Sequence, residues 1–288
     1  MRVGVASGGM NLAPTPKQAL LAAFAAFAAQ ATDGGHPCIT ARHEHGAKGL
    51  EVERPTLAVL LQGRKRIAGA TLRLELVPGD LLVITRRCQL DVVNIPDPDS
   101  GLYLSVLGPL CEEVMAAARL LWEVPINAQG DDIARFDVAD FVEPLRRWLH
   151  AQQAGQETES RVAMLAVVLE LCRRGHASML LPPPPNLAAQ LRAMVAEHPA
   201  RNWQSQDVED RLGLSGPTLR RRLAAEGTSL REIIASARLA CAIELLYTTR
   251  WPVKTVAAKV GYRSVSSFVH RFHDRYGLDP AQIGNAAA

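Results

Sequence analysis

The 288-residue chain lacks most of the features by which a sequence announces chemistry. No apolar run reaches the roughly 20 residues needed to span a bilayer, so no membrane-spanning helix is expected. Its five cysteines, Cys38, Cys88, Cys111, Cys172 and Cys241, are scattered, and none stands in a CxxC pair. That spacing argues against a disulfide framework or a zinc finger and suits a reducing, cytoplasmic compartment. No Ser/His/Asp set, Gly-rich phosphate loop or paired-carboxylate arrangement stands out, so neither an enzyme nor a bound cofactor is expected.

Charge is present but unevenly spread. Residues 187–288 hold 14 Lys and Arg against 9 Asp and Glu, a balance of +5, whereas residues 1–186 hold 18 against 20. Basic charge thus collects at the C-terminal end, which suits a polyanionic partner.

Residues 1–16 are Gly- and Pro-rich without periodicity and predict a loose tail. The stretch 17–31, KQALLAAFAAFAAQA, superficially resembles a signal peptide. Leu20, Leu21, Phe24 and Phe27 fall at helical spacing, and a buried amphipathic helix over 17–30 is the reading adopted. Short apolar runs follow at Leu57–Leu61, Thr71–Val77, Leu81–Thr85, Gln89–Ile95 and Leu102–Leu107, with turn signals at Pro78-Gly79-Asp80 and Pro96–Gly101. Strands so closely spaced predict a small sandwich or barrel. From about 109 the period turns helical, with stripes at Leu110, Val114, Ala117, Ala118 and Leu121; at Phe141, Leu145, Trp148 and Leu149; and at Val162, Leu165, Val168, Leu169 and Cys172. These stripes either pack on their own β unit or join two protomers in a homodimer. Four consecutive prolines in 181–186 cannot continue a helix and mark a linker. Beyond them every segment reads as a short helix. The fold class expected is therefore α+β: a small β unit with flanking helices over 17–180, then an all-α domain over 187–288.

Within that second domain, Val208 to Gly227 reads VEDRLGLSGPTLRRRLAAEG. A helix ends near Leu212, Gly213 permits a tight turn and Leu214 plugs it. Ser215 is placed to cap the next helix, and Pro217 is tolerated in its first turn. Leu219 and Leu223 anchor that helix, while Thr218, Arg220, Arg221 and Arg222 lie off the anchor line. This is the pattern of a helix-turn-helix, whose second helix enters the major groove. Val256 to Gly277 repeats it: Gly261 answers Gly213, Tyr262 answers Leu214, and Phe268 and Phe272 answer Leu219 and Leu223. One helix over Leu230–Leu246 joins the copies, with Ile233, Ile234, Ala237, Ala240, Cys241 and Leu245 as its apolar side, before Trp251-Pro252 opens the second unit. A stiff connector lets the two reading helices meet major-groove segments about 34 Å apart.

From about Asn202 to Ile283 the chain resembles the AraC/XylS family of transcription regulators, on Leu214–Arg221, Gly227-Thr228-Ser229, Arg238-Leu239, Ala242, Leu245-Leu246, Val253, Val256-Ala257, Val260-Gly261-Tyr262, Phe268, Phe272, Tyr276-Gly277 and Pro280. The resemblance implies a bipartite domain for double-stranded promoter DNA, with RNA polymerase as the downstream partner and activation as the commoner output. It implies that Thr218, Arg220 and Arg221, with Ser266, Ser267 and His270, face bases or nearby phosphates. Ser215, Arg222, Arg263, Ser264 and Arg271 complete the candidate DNA-binding set. The chain departs from the family in carrying His270 and His273 where basic residues are usual, and Gly284-Asn285 after Pro280. The first unit is therefore expected to dominate.

LAVLLQGRKRI and VPGDLLVI, within residues 57–90, resemble the cupin-like N-terminal domain of one subgroup, which senses small effectors or dimerises. His43, Glu44, His45 and Glu51 imitate a cupin metal set, but the spacing to Glu51 is longer than usual; a polar surface loop is expected and no metal. Arg64-Lys65-Arg66 after Gly63 is expected at a surface turn. Arg64, Arg66 and Arg86 are the candidates for an anionic effector. A metal-dependent cupin enzyme fused to a DNA-binding domain is the competing class, as is DNA-alkylation repair, but Cys38 has no Arg neighbour to activate it. A regulator controlled by a partner protein instead of a small molecule stays open.

Overall fold

The computed structural model describes residues 14–30, 38–69, 72–127, 131–182 and 186–283. Most of the expected tail, Thr71, the central prolines of the linker and Gly284-Asn285 lie outside the described residues. The chain opens with α1 (Pro16–Gln30), then runs through β1 (Cys38–Ala41), β2 (His45–Val52), β3 (Thr56–Gln62), β4 (Arg64–Ala68), β5 (Arg73–Leu76), β6 (Asp80–Ile84), β7 (Cys88–Ile95) and β8 (Tyr103–Pro109). After α2 (Glu112–Leu121) come β9 (Ile133–Asp137), α3 (Val142–Gln153) and α4 (Glu157–Leu171).

The strands form two antiparallel sheets, ordered β1-β8-β3-β6-β9 and β2-β7-β4-β5. Alternation along the central strands explains the layering. Leu57 and Val59 of β3, with Leu81 and Val83 of β6, join a core shared with α1–α4. Their neighbours Ala58, Leu60, Leu82 and Ile84 face the second sheet, meeting Ala47, Ile67, Leu76, Leu90 and Val92. Both faces of the first sheet are thus buried, which is why these strands read as continuous apolar runs. The chain crosses between sheets at Gly63, where φ is +80° and any side chain would strike the Ile95 carbonyl. In the helical layer, Phe24 and Phe27 of α1 lie 6.1 and 5.9 Å from the Trp148 ring of α3.

The α+β division is the one expected, with differences in detail. Strands β1, β2, β4 and β9 were not legible. Gly46 and Gly49 dilute the pattern of β2, which also carries a bulge between Ala47 and Leu50. The Phe141 stripe is buried throughout, but Leu121 and Val162 are exposed. Contact with both α2 and α3 turns the buried face of α4 to Ala163, Met164, Val167 and Leu171. Arg64–Arg66 do not form a turn, and His45 and Glu51 do not lie in a loop; these residues belong to β4 and β2.

Among the described residues the elements that follow are all helices: α5 (Leu187–Glu197), α6 (Ser205–Leu212), α7 (Gly216–Ala225), α8 (Leu230–Thr248), α9 (Val253–Lys259), α10 (Val265–Tyr276) and α11 (Pro280–Ile283). No helix among the described residues is long and apolar enough to cross a membrane.

Candidate nucleic-acid interface

The first helix-turn-helix unit is α6 and α7. Gln204 and Asp207 form a capping box at the start of α6, with the Gln204 N–H donating to Asp207 Oδ2 at 2.8 Å. Gly213 ends the helix in left-handed geometry at φ 62°. Ser215 stands at the cap position of α7, but its hydroxyl donates to Thr218 Oγ1 at 3.0 Å and accepts no backbone N–H. Leu219 and Leu223 are buried with Ala188, Leu191, Val195, Trp203, Val208, Ile233 and Ala237 in a small separate core. That anchoring turns Arg220, Arg221 and Arg222 outward; all three are exposed and make no ion pair among the described residues. The end of α7 also holds α5: Glu226 accepts the Leu187 and Ala188 N–H groups at 3.0 and 2.9 Å.

The second unit, α9 and α10, repeats the design with aromatic anchors. Phe268, Phe272 and Tyr276 are buried one turn apart, with ring centroids 5.5 and 4.9 Å apart along the helix. Ser264 caps α10 by accepting the Ser267 N–H at 3.3 Å. Arg263, Ser264, Ser266, Ser267, His270 and Arg271 are exposed. His270 Nε2 lies 3.4 Å from Asp274, one turn on, a carboxylate partner that the first unit's arginines do not have. Both sets of sequence-picked residues are therefore grouped on the reading helices and the turns before them.

The connector α8 runs two residues past its expected end and spans about 28 Å at the usual rise. It is buried on more sides than its one-face reading allowed. Ile233 and Ala237 enter the core of the first unit, whereas Leu239, Ala242, Ile243, Leu246 and Tyr247 join a core that includes the second unit and the second sheet. Contact between α10 and β2 is secured by Arg275, whose guanidinium donates to Glu51 at 3.0 Å. Arg192 of α5 pairs with Glu53 at 2.9 Å. The carboxylate singled out as a metal-like group is thus engaged by a C-terminal arginine.

The effector candidates are each matched by a carboxylate: Arg64 by Glu75 at 3.2 Å, Arg66 by Glu44 at 3.6 Å, and Arg86 by Asp132. The residue that sequence reading passed over is Lys65. Strand alternation sends it inward beside Ile67. Its ammonium donates to Asn94 Oδ1 at 2.7 Å and lies 3.4 Å from the Tyr103 hydroxyl, which donates to Ser105. Burial pushes its pKa down to about 8. His45, Asn94 and Lys65 stand in one cross-strand row over β2, β7 and β4. The His45 ring is buried and stacks on Tyr247 of α8 at 5.5 Å; burial lowers its pKa, and its Nε2 has no hydrogen-bond partner.

This depressed lysine has a definite pH consequence. Between about 8 and its ordinary 10.5 the unfolded chain carries a proton at Lys65 that the folded chain lacks, so stability rises with pH across that window. Lys65→Met removes the effect. Urea unfolding at pH 7.5 and 10.5 is expected to show wild type gaining on the variant by on the order of 3 kcal/mol over that interval. A pH-independent difference would contradict the burial of the charge.

The helix-turn-helix domain family matches residues 208–286. An HTH-type transcriptional regulator of Mycobacterium tuberculosis, Rv1395, is 42% identical over 76 residues, 26% of this chain and 22% of that protein. GadX of Escherichia coli K12, also an HTH-type transcriptional regulator, is 27% identical over 104 residues, 36% of this chain and 38% of its own length. The chain thus spans well under half the length of these curated relatives. ToxT of Vibrio cholerae shares the fold over 85% of this chain and 94% of its own, at 15% identity and a TM-score of 0.60. Two anchored helix pairs on one connecting helix, the family match and these relatives agree: residues 208–286 are a helix-turn-helix domain of the AraC/XylS type.

Proposed function

We propose that the chain is a sequence-specific, double-stranded-DNA-binding transcription regulator that activates by recruiting RNA polymerase. Residues 187–288 read the DNA, residues 17–180 regulate and dimerise, and 181–186 link them. The observation that carries the reading is the exposed row Arg220–Arg222 on α7, which makes no ion pair among the described residues and is set on the second helix of a helix-turn-helix. Thr218 and Ser215 stand at the start of the same helix. Ser264, Ser266, Ser267, His270 and Arg271, with Arg263, occupy the equivalent end of α10. A base-reading arginine contributes about 1–3 kcal/mol of discrimination.

Regulation is proposed to enter through the sheets. A solved ToxT holds an unsaturated fatty acid. Its likeness in fold, together with a buried lysine that has no carboxylate partner among the described residues, supports a small acidic effector over control by a partner protein. The exposed apolar side chains Leu120, Leu121, Val124 and Val162 of the helical layer support self-association.

Three measurements test these statements. A genome-wide map of bound sites supplies operator duplexes; on these Arg221→Ala is expected to lose about tenfold or more in affinity and relax base preference, and His270→Ala much less. Equal losses overturn the dominance of the first unit, and no loss in either overturns the reading. Melting in the presence of unsaturated fatty acids and a metabolite panel is expected to show stabilisation by one acidic compound, about 2.7 kcal/mol at a hundred times its Kd. A panel without effect at saturating concentration favours the partner-controlled regulator. Sedimentation at micromolar concentration is expected to show a dimer; monomer alone removes that element.

A further inference from the structure

Between the two helix-turn-helix units lies a cleft of about 610 Å³ whose lining includes four arginines, Arg231, Arg238, Arg263 and Arg271, and no carboxylate. In a domain with 9 acidic residues among its last 102, a lining that excludes all of them is a built electrostatic feature. The floor of the cleft is rigid. Arg238 of α8 donates from Nε to the Pro199 carbonyl at 2.9 Å and from a terminal nitrogen to the Arg201 carbonyl at 2.9 Å. Gly261, the turn glycine of the second unit, comes so close that a Cβ there would stand 2.8 Å from the same Pro199 carbonyl. Gly213, its counterpart in the first unit, faces open space. The loop of one unit therefore rests directly on the turn of the other, and the width of the gap is fixed by backbone contact as well as by α8.

The walls carry positive potential from two further sources. The starts of α6, at Gln204 and Ser205, and of α10, at Ser264 and Ser267, both open onto the cleft. Both starts are capped, by the Gln204–Asp207 box and by Ser264, and the positive ends of the two helix dipoles add to the arginines. With Arg238 committed to the floor, Arg231 and Arg263 are exposed and make no ion pair among the described residues, and Arg271 stands beside Tyr262.

We propose that this cleft seats the phosphodiester backbone of DNA where it passes between the two major-groove segments, with Arg231 of α8 as its central contact and Arg263 and Arg271 flanking it. The inference rests on the DNA-binding reading and adds to it a backbone site between the reading helices, outside the bases. Sequence patterning gave no reason to pick Arg231, which sits on the connector and not on a reading helix. A phosphate held at the start of the connector, beside the turn of the second unit, sets the register of both helices on one duplex.

The test uses the full chain and a duplex drawn from its own bound sites, with a scrambled duplex of equal length. Binding is measured from 50 to 200 mM salt for wild type, Arg231→Ala, Arg231→Lys and Arg221→Ala, after confirming that all melt alike. Arg231→Ala is expected to weaken both duplexes by the same factor, about 3- to 10-fold, and to reduce the slope of log affinity on log salt by about 0.9, leaving base preference unchanged. Arg231→Lys is expected to restore most of the slope, and Arg221→Ala to change the ratio between the two duplexes. An Arg231→Ala protein with wild-type affinity and slope overturns the cleft while leaving DNA binding intact. Wild type that binds neither duplex overturns both readings. Inorganic phosphate at constant ionic strength separates a free-anion site: Arg231-dependent weakening of DNA binding is expected from competition for one seat, whereas phosphate that stabilises wild type but not Arg231→Ala and leaves DNA affinity unchanged makes the cleft a small-anion pocket and overturns the backbone seat.

Discussion

The burial of α8 on several sides is the constraint from which the C-terminal architecture follows. A connector packed on one face would leave its ends free to roll. Here Ile233 and Ala237 are clasped by the first unit, and Ala242, Ile243 and Leu246 by the second. Each of Ile233, Ile243 and Leu246 contributes about 1.5–3 kcal/mol by burial, so rotating α8 against either unit is strongly opposed. The arginine that ties α8 to the Pro199 and Arg201 carbonyls acts in the same sense, by hydrogen bonds and not by burial. Two reading helices on such a mount have one spacing, which is what a bipartite operator requires.

Charge is divided between two uses. Arg275 and Arg192 are consumed internally by Glu51 of β2 and Glu53 just beyond it, with the arginines 26% and 14% exposed, where a pair is screened less than at an open surface. Arg220–Arg222 and Arg263 are left outward and uncompensated. The net charge of +3 for the whole chain conceals this separation, and the half-by-half balance only begins to reveal it.

How much was legible depends on whether the relevant pattern is local. Left-handed glycines and anchors four apart are set by a few adjacent residues, so both helix-turn-helix units and their exposed side chains could be read directly, although the cap read at Ser215 turns its hydroxyl to Thr218 instead. Lys65 was legible in principle, because alternation with Ile67 fixes its direction, but flanking arginines disguised a strand as a turn. The pairing of Glu51 with Arg275 joins residues far apart in the chain, and nothing local to either announces the other. The phase error on α4 has the same origin: Val162 is exposed because of where α2 and α3 lie, not because of its own neighbours.

The apolar core shared by the second helix-turn-helix unit and the second sheet has a bearing on how such a chain can be taken apart. The first unit owns its interior; the second borrows part of its cover from strands two hundred residues away. A fragment cut at the proline run keeps every reading residue yet uncovers Tyr247 and its neighbours, trading a masked seam for a sticky one. A chimaera that grafts a foreign sensor onto this reader inherits the same demand: the incoming sheet must bring a matching greasy face and an acid for Arg275, or the graft will hold one reading helix and not the other.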